Sequence, residues 1–286
     1  MPVLTIARLT LLEITRRRLL LAAVVVSALV VGLTGWGFAH LNAIPCGGHA
    51  CSVSEIRTAS GAVLILVMFM FSFVLAVGAA FLAAPTIAAD VESGVIFAVL
   101  PRPIRRSDIV LGKWLGLTIV LIVYGACFYG CEIFIDYLAT GYTPPHPLAA
   151  IVFLVAEGIV LMTLALLGST RLPPMTVGIT VLVLYGLVWM GGVAGAVGQA
   201  IQNGTATHVG TVTSLLIPTD GLWRGALYNL EPVALLIATG SAAAANPGNA
   251  PFAVFAPPTS AYTAWVVCWL IAVLGLSVWS FQGRDL

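Results

Sequence analysis

The sequence predicts an all-α polytopic membrane protein with six transmembrane helices, an N-terminal interfacial amphipathic helix and a short helix at one membrane edge. Three observations predict it. Of 286 residues, 60% are hydrophobic and only 8% charged, more apolar surface than a soluble core of this size can hide. Six apolar runs reach the roughly 20 residues needed to cross a bilayer. The basic residues also gather in alternate connections.

The elements follow in order. Residues 1–18 mix apolar positions at helical spacing with Arg8, Glu13, Arg16, Arg17 and Arg18. Glu13 and Arg17 stand in the favourable i,i+4 order, as in a helix lying on lipid phosphates. A secretory signal peptide ending near Ala39 is the rival reading, but the basic region is long and the apolar run reaches full spanning length. The spans lie near 19–39, 60–84, 109–131, 148–168, 174–197 and 262–281, within a single 1–286 transmembrane domain. The stretches near 209–218 and 231–245 are too short or too interrupted to cross and read as re-entrant or interfacial pieces.

Orientation follows from the cations. Arg8, Arg16, Arg17, Arg18, Arg102, Arg105, Arg106, Lys113, Arg171 and Arg284 fall on one side, and only Arg57 and Arg224 on the other. By the positive-inside rule both termini are expected in the cytoplasm, with 198–261 as a long outer segment. A net charge of +1 argues against nucleic acid as a partner.

Residues 85–113 carry the densest information. Ile87, Val91, Val95 and Ala98 recur at near-helical spacing, so Thr86–Ala98 reads as a short helix with Asp90 and Glu92 off its apolar stripe. Pro101 and Pro103 stop it. Arg105 and Arg106 follow, Ser107 is placed to cap the next helix with Asp108 in its first turn, and Lys113 is expected to snorkel to the interface. Topology anchoring alone accounts for the cations; it accounts less well for Glu92, Gly94 and the prolines.

The run Glu92-Ser-Gly94, Leu100-Pro-Arg102-Pro103-Ile104-Arg-Arg106 and Ile109-Val-Leu-Gly112-Lys113 resembles the signature of type-two ABC exporter permeases, where it lies between spans two and three. The stretch Pro218-Thr-Asp220-Gly-Leu-Trp223-Arg224 is similar to outer-loop sequences in the branch that includes the nitrous-oxide-reductase maturation permease. Val95 departs from the pattern, since a hydroxyl residue often follows the glycine. The resemblance implies a permease chain that pairs with a second copy, forms a substrate path and couples to two copies of a separate ATPase. It implies that the 86–106 segment docks that ATPase through Asp90, Glu92, Gly94, Arg102, Pro103, Arg105 and Arg106. ATP and Mg would then belong to the partner, with no cofactor on this chain. The residues agree independently: a P-loop needs G-x-x-x-x-G-K-[ST], and the single lysine, Lys113, precedes Trp114. The localisation implied is a prokaryotic inner membrane, with membrane lipid around the chain and an extracytoplasmic partner open at 198–261, where a simple outer lid is the competing reading.

Polar residues within the spans supply the remaining candidates. Glu157 sits in mid-span, where a carboxylate must be protonated, paired or wet; it reads either as a substrate-path group or as a neutral acid bonded to a neighbouring helix. Glu132 and Asp136 stand one turn apart, with Arg57 placed to pair with one of them and Glu55 the simpler competitor for Arg57. Gly191, Gly195 and Gly198 approximate small-xxx-small packing, at a dimer seam or within one chain. Cys127, Cys131 and Cys268 read as small packed hydrophobes. Cys46 and Cys51 flank CGGHAC as a disulfide, as free thiols, or as metal ligands with His49; no other metal spacing is present. A secondary transporter or assembly scaffold is the alternative function, and an intramembrane enzyme a weaker one, since H-E-x-x-H is absent.

Overall fold

A computed structural model describes residues 2–15, 18–41, 52–92, 94, 105–231, 254 and 256–283. Cys46, His49, Cys51, Arg102, Pro103, Arg16, Arg17, Arg284 and the 232–245 stretch lie outside the described residues. Among those described, ten helices run α1 Pro2–Thr15, α2 Arg18–Leu41, α3 Val53–Ala83, α4 Pro85–Glu92, α5 Arg106–Thr140, α6 Pro147–Ser169, α7 Pro174–Ala200, α8 Gly204–Leu216, α9 Thr219–Leu230 and α10 Ser260–Gln282.

Six of them are long and apolar enough to span a membrane: α2, α3, α5, α6, α7 and α10. The third span is longer than its apolar run, because α5 carries Glu132 and Asp136 past residue 131 and ends on Gly141, left-handed at φ 69°. Glycine takes that conformation without a Cβ penalty, which is why the helix stops there. α3 likewise begins at Val53, seven residues before the apolar run, closed by a capping box in which Ser52 and Glu55 satisfy each other's backbone amides.

α6 is the central post. Its spanning window is 61% buried, the highest of the six, whereas that of α2 is 6% buried. α2 therefore stands at the rim and shows most of its apolar surface outward. α3, α5 and α6 share one core, in which Leu64, Met68, Leu117, Leu154 and Leu161 are fully enclosed. Trp114 on α5 donates to the Thr163 hydroxyl on α6 at 2.9 Å, and Gly158 lets Leu75 of α3 approach α6.

Cys127, Cys131 and Cys268 are exposed on the helix surfaces, not packed inside. The reason is position on the helix: the buried stripe of α5 runs through Gly125, Phe128, Tyr129, Glu132 and Asp136, and the two thiols of that helix lie off it.

Candidate functional site

Two regions hold polar side chains in organised contacts. The first lies at the end of the bundle where the basic residues gather. α4 follows α3 after a single residue, Ala84, whose amide still bonds the Ala80 carbonyl, so the short helix extends from the span with almost no linker. Ile87 is fully buried and packs with Ile109, Val110, Leu166 and Phe281, with Val91 against their edge. Thus α4 packs on α6 and α7, and Ile87 and Val91 of its apolar stripe join a cluster that α5, α6 and α10 complete. The helix ends at Glu92, short of the expected Ala98, because Gly94 turns left-handed at φ 74°, its amide bonded to the Val91 carbonyl. The turn, ahead of the prolines, stops it, and Val95 and Ala98 lie outside the described residues.

Lys113 does not snorkel. Its ammonium is buried and donates to the Thr86 carbonyl and the Asp90 carboxylate. The pair joins residues 23 apart and fastens α4 to the first turns of α5. Burying the ammonium without such acceptors would be costly, so the pair holds the lysine inward. Ser107 does not cap α5 either: Arg105 occupies the N-cap with no side-chain cap bond, and Asp108 sits in the first turn. Arg106 turns away from the helix entrance and donates to the carbonyls of Phe281 and Gln282 at 3.5 and 3.0 Å. Arg171, from the connection between α6 and α7, reaches the Ser280 hydroxyl at 3.2 Å and the Gly283 carbonyl at 3.4 Å. Two cations thus meet the carboxyl end of α10, where unpaired carbonyls and the helix dipole attract positive charge. Of the seven residues implied for docking, Asp90 is engaged inside the bundle, Arg105 is exposed, Arg106 holds α10, Gly94 turns the chain and Glu92 is the last residue of α4.

α1 runs against the same end of α5. Ala7, Thr10 and Ile14 are buried there, while Leu4, Leu9 and Leu12 face outward. The groove is made by Gly112 and Gly116. A Cβ at Gly112 would stand 2.7 Å from Ile6 Cβ and 2.9 Å from the Val3 carbonyl; at Gly116 it would stand 2.9 Å from the Ala7 carbonyl. The small-xxx-small spacing Gly112-Lys-Trp-Leu-Gly116 was the available sequence signal for this contact.

The second region is a broken hairpin that dips back from the opposite end. α8 runs antiparallel along α7, with Gly191 against Thr213, Gly195 against Gly210 and Gly198 against Ala206. The glycine face of α7 thus packs within one chain. At 13 residues, α8 is about 20 Å long, too short to cross. Its last carbonyls are received by α10: Trp265 Nε1 donates to Leu215 O at 3.1 Å, Trp269 Nε1 to Leu216 O at 2.7 Å, and Tyr262 Oη to Pro218 O at 3.2 Å. Those indoles satisfy a helix end that lipid could not. Pro218 then reverses the chain into α9, which returns outward beside α6.

The tip of this hairpin, Ile217–Asp220, reaches the middle of the bundle. Asp220 lies in the first turn of α9, behind Pro218 at the N-cap, and accepts from Arg224 Nε at 2.8 Å, while Arg224 Nη2 donates to Gly192 O at 3.0 Å. Glu157 is 2% exposed. Tyr185 Oη donates to its Oε1 at 3.0 Å, and Oε2 has no partner among the described residues.

Arg57 does not pair with Glu132 or Asp136. Both acids are fully buried and take hydroxyl donors instead: Thr34 to Glu132 at 2.8 Å, and Ser60 and Thr140 to Asp136. The Arg57 guanidinium stands by Gly141 at the carboxyl end of α5, where a helix terminus draws a cation. Among the described residues, no group of three or more His, Cys, Asp or Glu is placed to hold a metal.

At the hairpin's outer end, Tyr142 Oη donates to Leu230 O at 2.8 Å. Burial pushes the Glu231 carboxyl from 4.5 up to about 7, against the opposing effect of the Val254 amide bonded to it.

Six helices long and apolar enough to span, a short helix fastened at one end and a helix pair folded back from the other make a polytopic membrane protein. The family model described as ABC-2 family transporter protein matches residues 4–286, so the chain belongs to that family of membrane transporters. No curated protein matches it.

Proposed function

We propose that this chain is the transmembrane subunit of an ABC exporter. Two copies form the substrate path, two copies of a separate ATPase bind at the basic end, and both termini lie in the cytoplasm of a prokaryotic cell whose inner membrane holds the complex. The branch that includes the nitrous-oxide-reductase maturation permease is the one its 218–224 stretch resembles. Family membership supports the need for an ATPase partner.

The observation that carries the reading is the attachment of α4. A short helix that leaves α3 after one residue, buries Ile87 among three other helices and is fastened to α5 through Lys113 moves as part of the bundle. A push on its half-buried side, which carries Ala89 and Asp90, is passed to α3 and α5 together, as a rigid-body shift requires. On this reading Asp90 acts by holding the lever, Arg105 offers an exposed cation at its end, and Glu92, Gly94, Arg102 and Pro103 shape the docking turn.

The test is co-purification with the ATPase in detergent. Scrambling 86–106 is expected to abolish the complex while the chain still inserts in the membrane. A complex that survives the scrambled segment intact would overturn the reading.

A further inference from the structure

Where α3, α6 and α7 meet the hairpin tip, a cleft about the size of one water molecule remains. Its walls combine three kinds of side chain. Ser72 and Thr219 supply hydroxyls. Phe69, Tyr185, Trp189 and Trp223 supply ring surface, and Glu157 and Asp220 supply carboxylates. The Phe69 ring centroid lies 5.2 Å from that of Trp223 and 6.2 Å from that of Trp189.

The charges do not balance. Asp220 is taken by Arg224 Nε, and Arg224 Nη2 donates to Gly192 O. Glu157 has one oxygen served by Tyr185 and one enclosed oxygen with no donor among the described residues. Glu132, Asp136 and Glu231 each keep such an oxygen too, but of these four acids Glu157 is the one that lines the cleft. A buried acid in a membrane that lines a cleft and lacks a donor marks a place for something positive. The chemistry of the wall narrows what that is. Ring faces attract cations through their quadrupoles, and aromatic cages with a carboxylate suit alkylated ammonium groups. A small hard metal ion would need several oxygen ligands in place of ring faces. An anion would meet two carboxylates, and a neutral lipid would have no use for the enclosed oxygen. Trp189 is 44% exposed on the outer surface of α7, so the aromatic wall reaches the lipid-facing side and an amphiphile can approach from the bilayer.

We infer that this cleft is a recognition site for lipophilic organic ammonium cations, with Glu157 as the counter-ion and Phe69, Trp189 and Trp223 as the aromatic wall. The inference rests on the permease reading for what happens to the bound cation, but binding itself needs only this chain. The cleft admits about one water, so entry of such a cation must displace Trp189 or the Ile217–Asp220 tip.

The experiment uses the full chain in nanodiscs without the ATPase. Tryptophan fluorescence is titrated with benzyltrimethylammonium and with neopentylbenzene, its uncharged carbon isostere. The expected result is saturable binding of the cation at least tenfold tighter than of the isostere. Glu157→Gln, which keeps an acceptor for Tyr185, is expected to weaken cation binding at least tenfold and leave the isostere unchanged. Trp189→Leu, at an outward-facing position that tolerates change, is expected to weaken it severalfold when read by calorimetry. Equal affinity for cation and isostere, or an unaltered Glu157→Gln, would overturn the assignment, and so would the absence of saturable binding. An ATPase complex that assembles normally beside a failed titration would sink only the cation site; a successful titration beside failed assembly would sink only the export reading.

Discussion

The two ends of the bundle treat charge in opposite ways. At the basic end the cations close joints: Lys113 ties α4 to α5, and Arg106 and Arg171 hold the end of α10. Along the hairpin α7 and α8 meet through glycine, and at its tip the buried Glu157 keeps an oxygen without a donor among the described residues. A set of closed joints favours transmission of a movement without loss. Glycine contacts with a single proline-broken turn favour a segment that can shift when something binds. The difference teaches that the same membrane-embedded chain can be stiff where it receives force and adaptable where it meets a substrate.

The largest effect is expected from filling the glycine contact. A Cβ at Gly195 would lie 2.9 Å from the Gly210 backbone, and backbone cannot rotate away as a side chain can. Gly195→Val should force α8 off α7 at a cost of about 1–3 kcal/mol or more. The measurement is detergent thermal stability together with protease access to 204–230. An unchanged melting profile would mean that α8 does not pack as described.

Next is the joint at the basic end. Lys113→Met removes the donor that holds Asp90 and the Thr86 carbonyl, a loss of about 1.5–3 kcal/mol by the usual worth of hydrogen bonds to charged groups, reduced because Asp90 is partly exposed. Substrate-stimulated ATP hydrolysis by the assembled complex should fall severalfold while membrane insertion is retained. Equal stimulation in the variant would erase the contrast between a stiff end and an adaptable one.

The smallest effect concerns the outer end of α9. Glu231 in the folded chain titrates near 7 and its ordinary value is 4.5. The acid is thus favoured in its protonated form by the fold. Its contribution to stability is complete below about pH 4.5 and is lost as the pH rises through about 7. Hydrogen exchange at the end of α9 is expected to quicken across that window, and Glu231→Gln should flatten the profile. A pH dependence that persists in the variant would assign it to another group.

Much of this architecture was legible in the sequence. The six spans follow from hydropathy, the apolar stripe Ile87–Val91 marked α4, and the shortness of the 209–218 run foretold a piece that does not cross. What was not legible depended on partners distant in the chain. Lys113 looked like an interfacial lysine because its acceptors lie on α4, reachable only after α3 and α5 pack side by side. Glu132 and Asp136 suggested Arg57 because opposite charges attract the eye, whereas the packing supplied three hydroxyls. Glu157 stood out by its depth, but Tyr185 is one of several span aromatics, and only the α6–α7 contact selects it. The glycine row of α7 announced a close contact without saying with what; α8 answers.

The most direct test of the account places a photo-crosslinking residue at Ala89 on α4 and, in a separate variant, at Leu148 near the opposite end, in the ATPase-bound complex. The account predicts capture of the ATPase from position 89 and none from 148. Capture from 148, or an active complex in which position 89 never captures the ATPase, would contradict it.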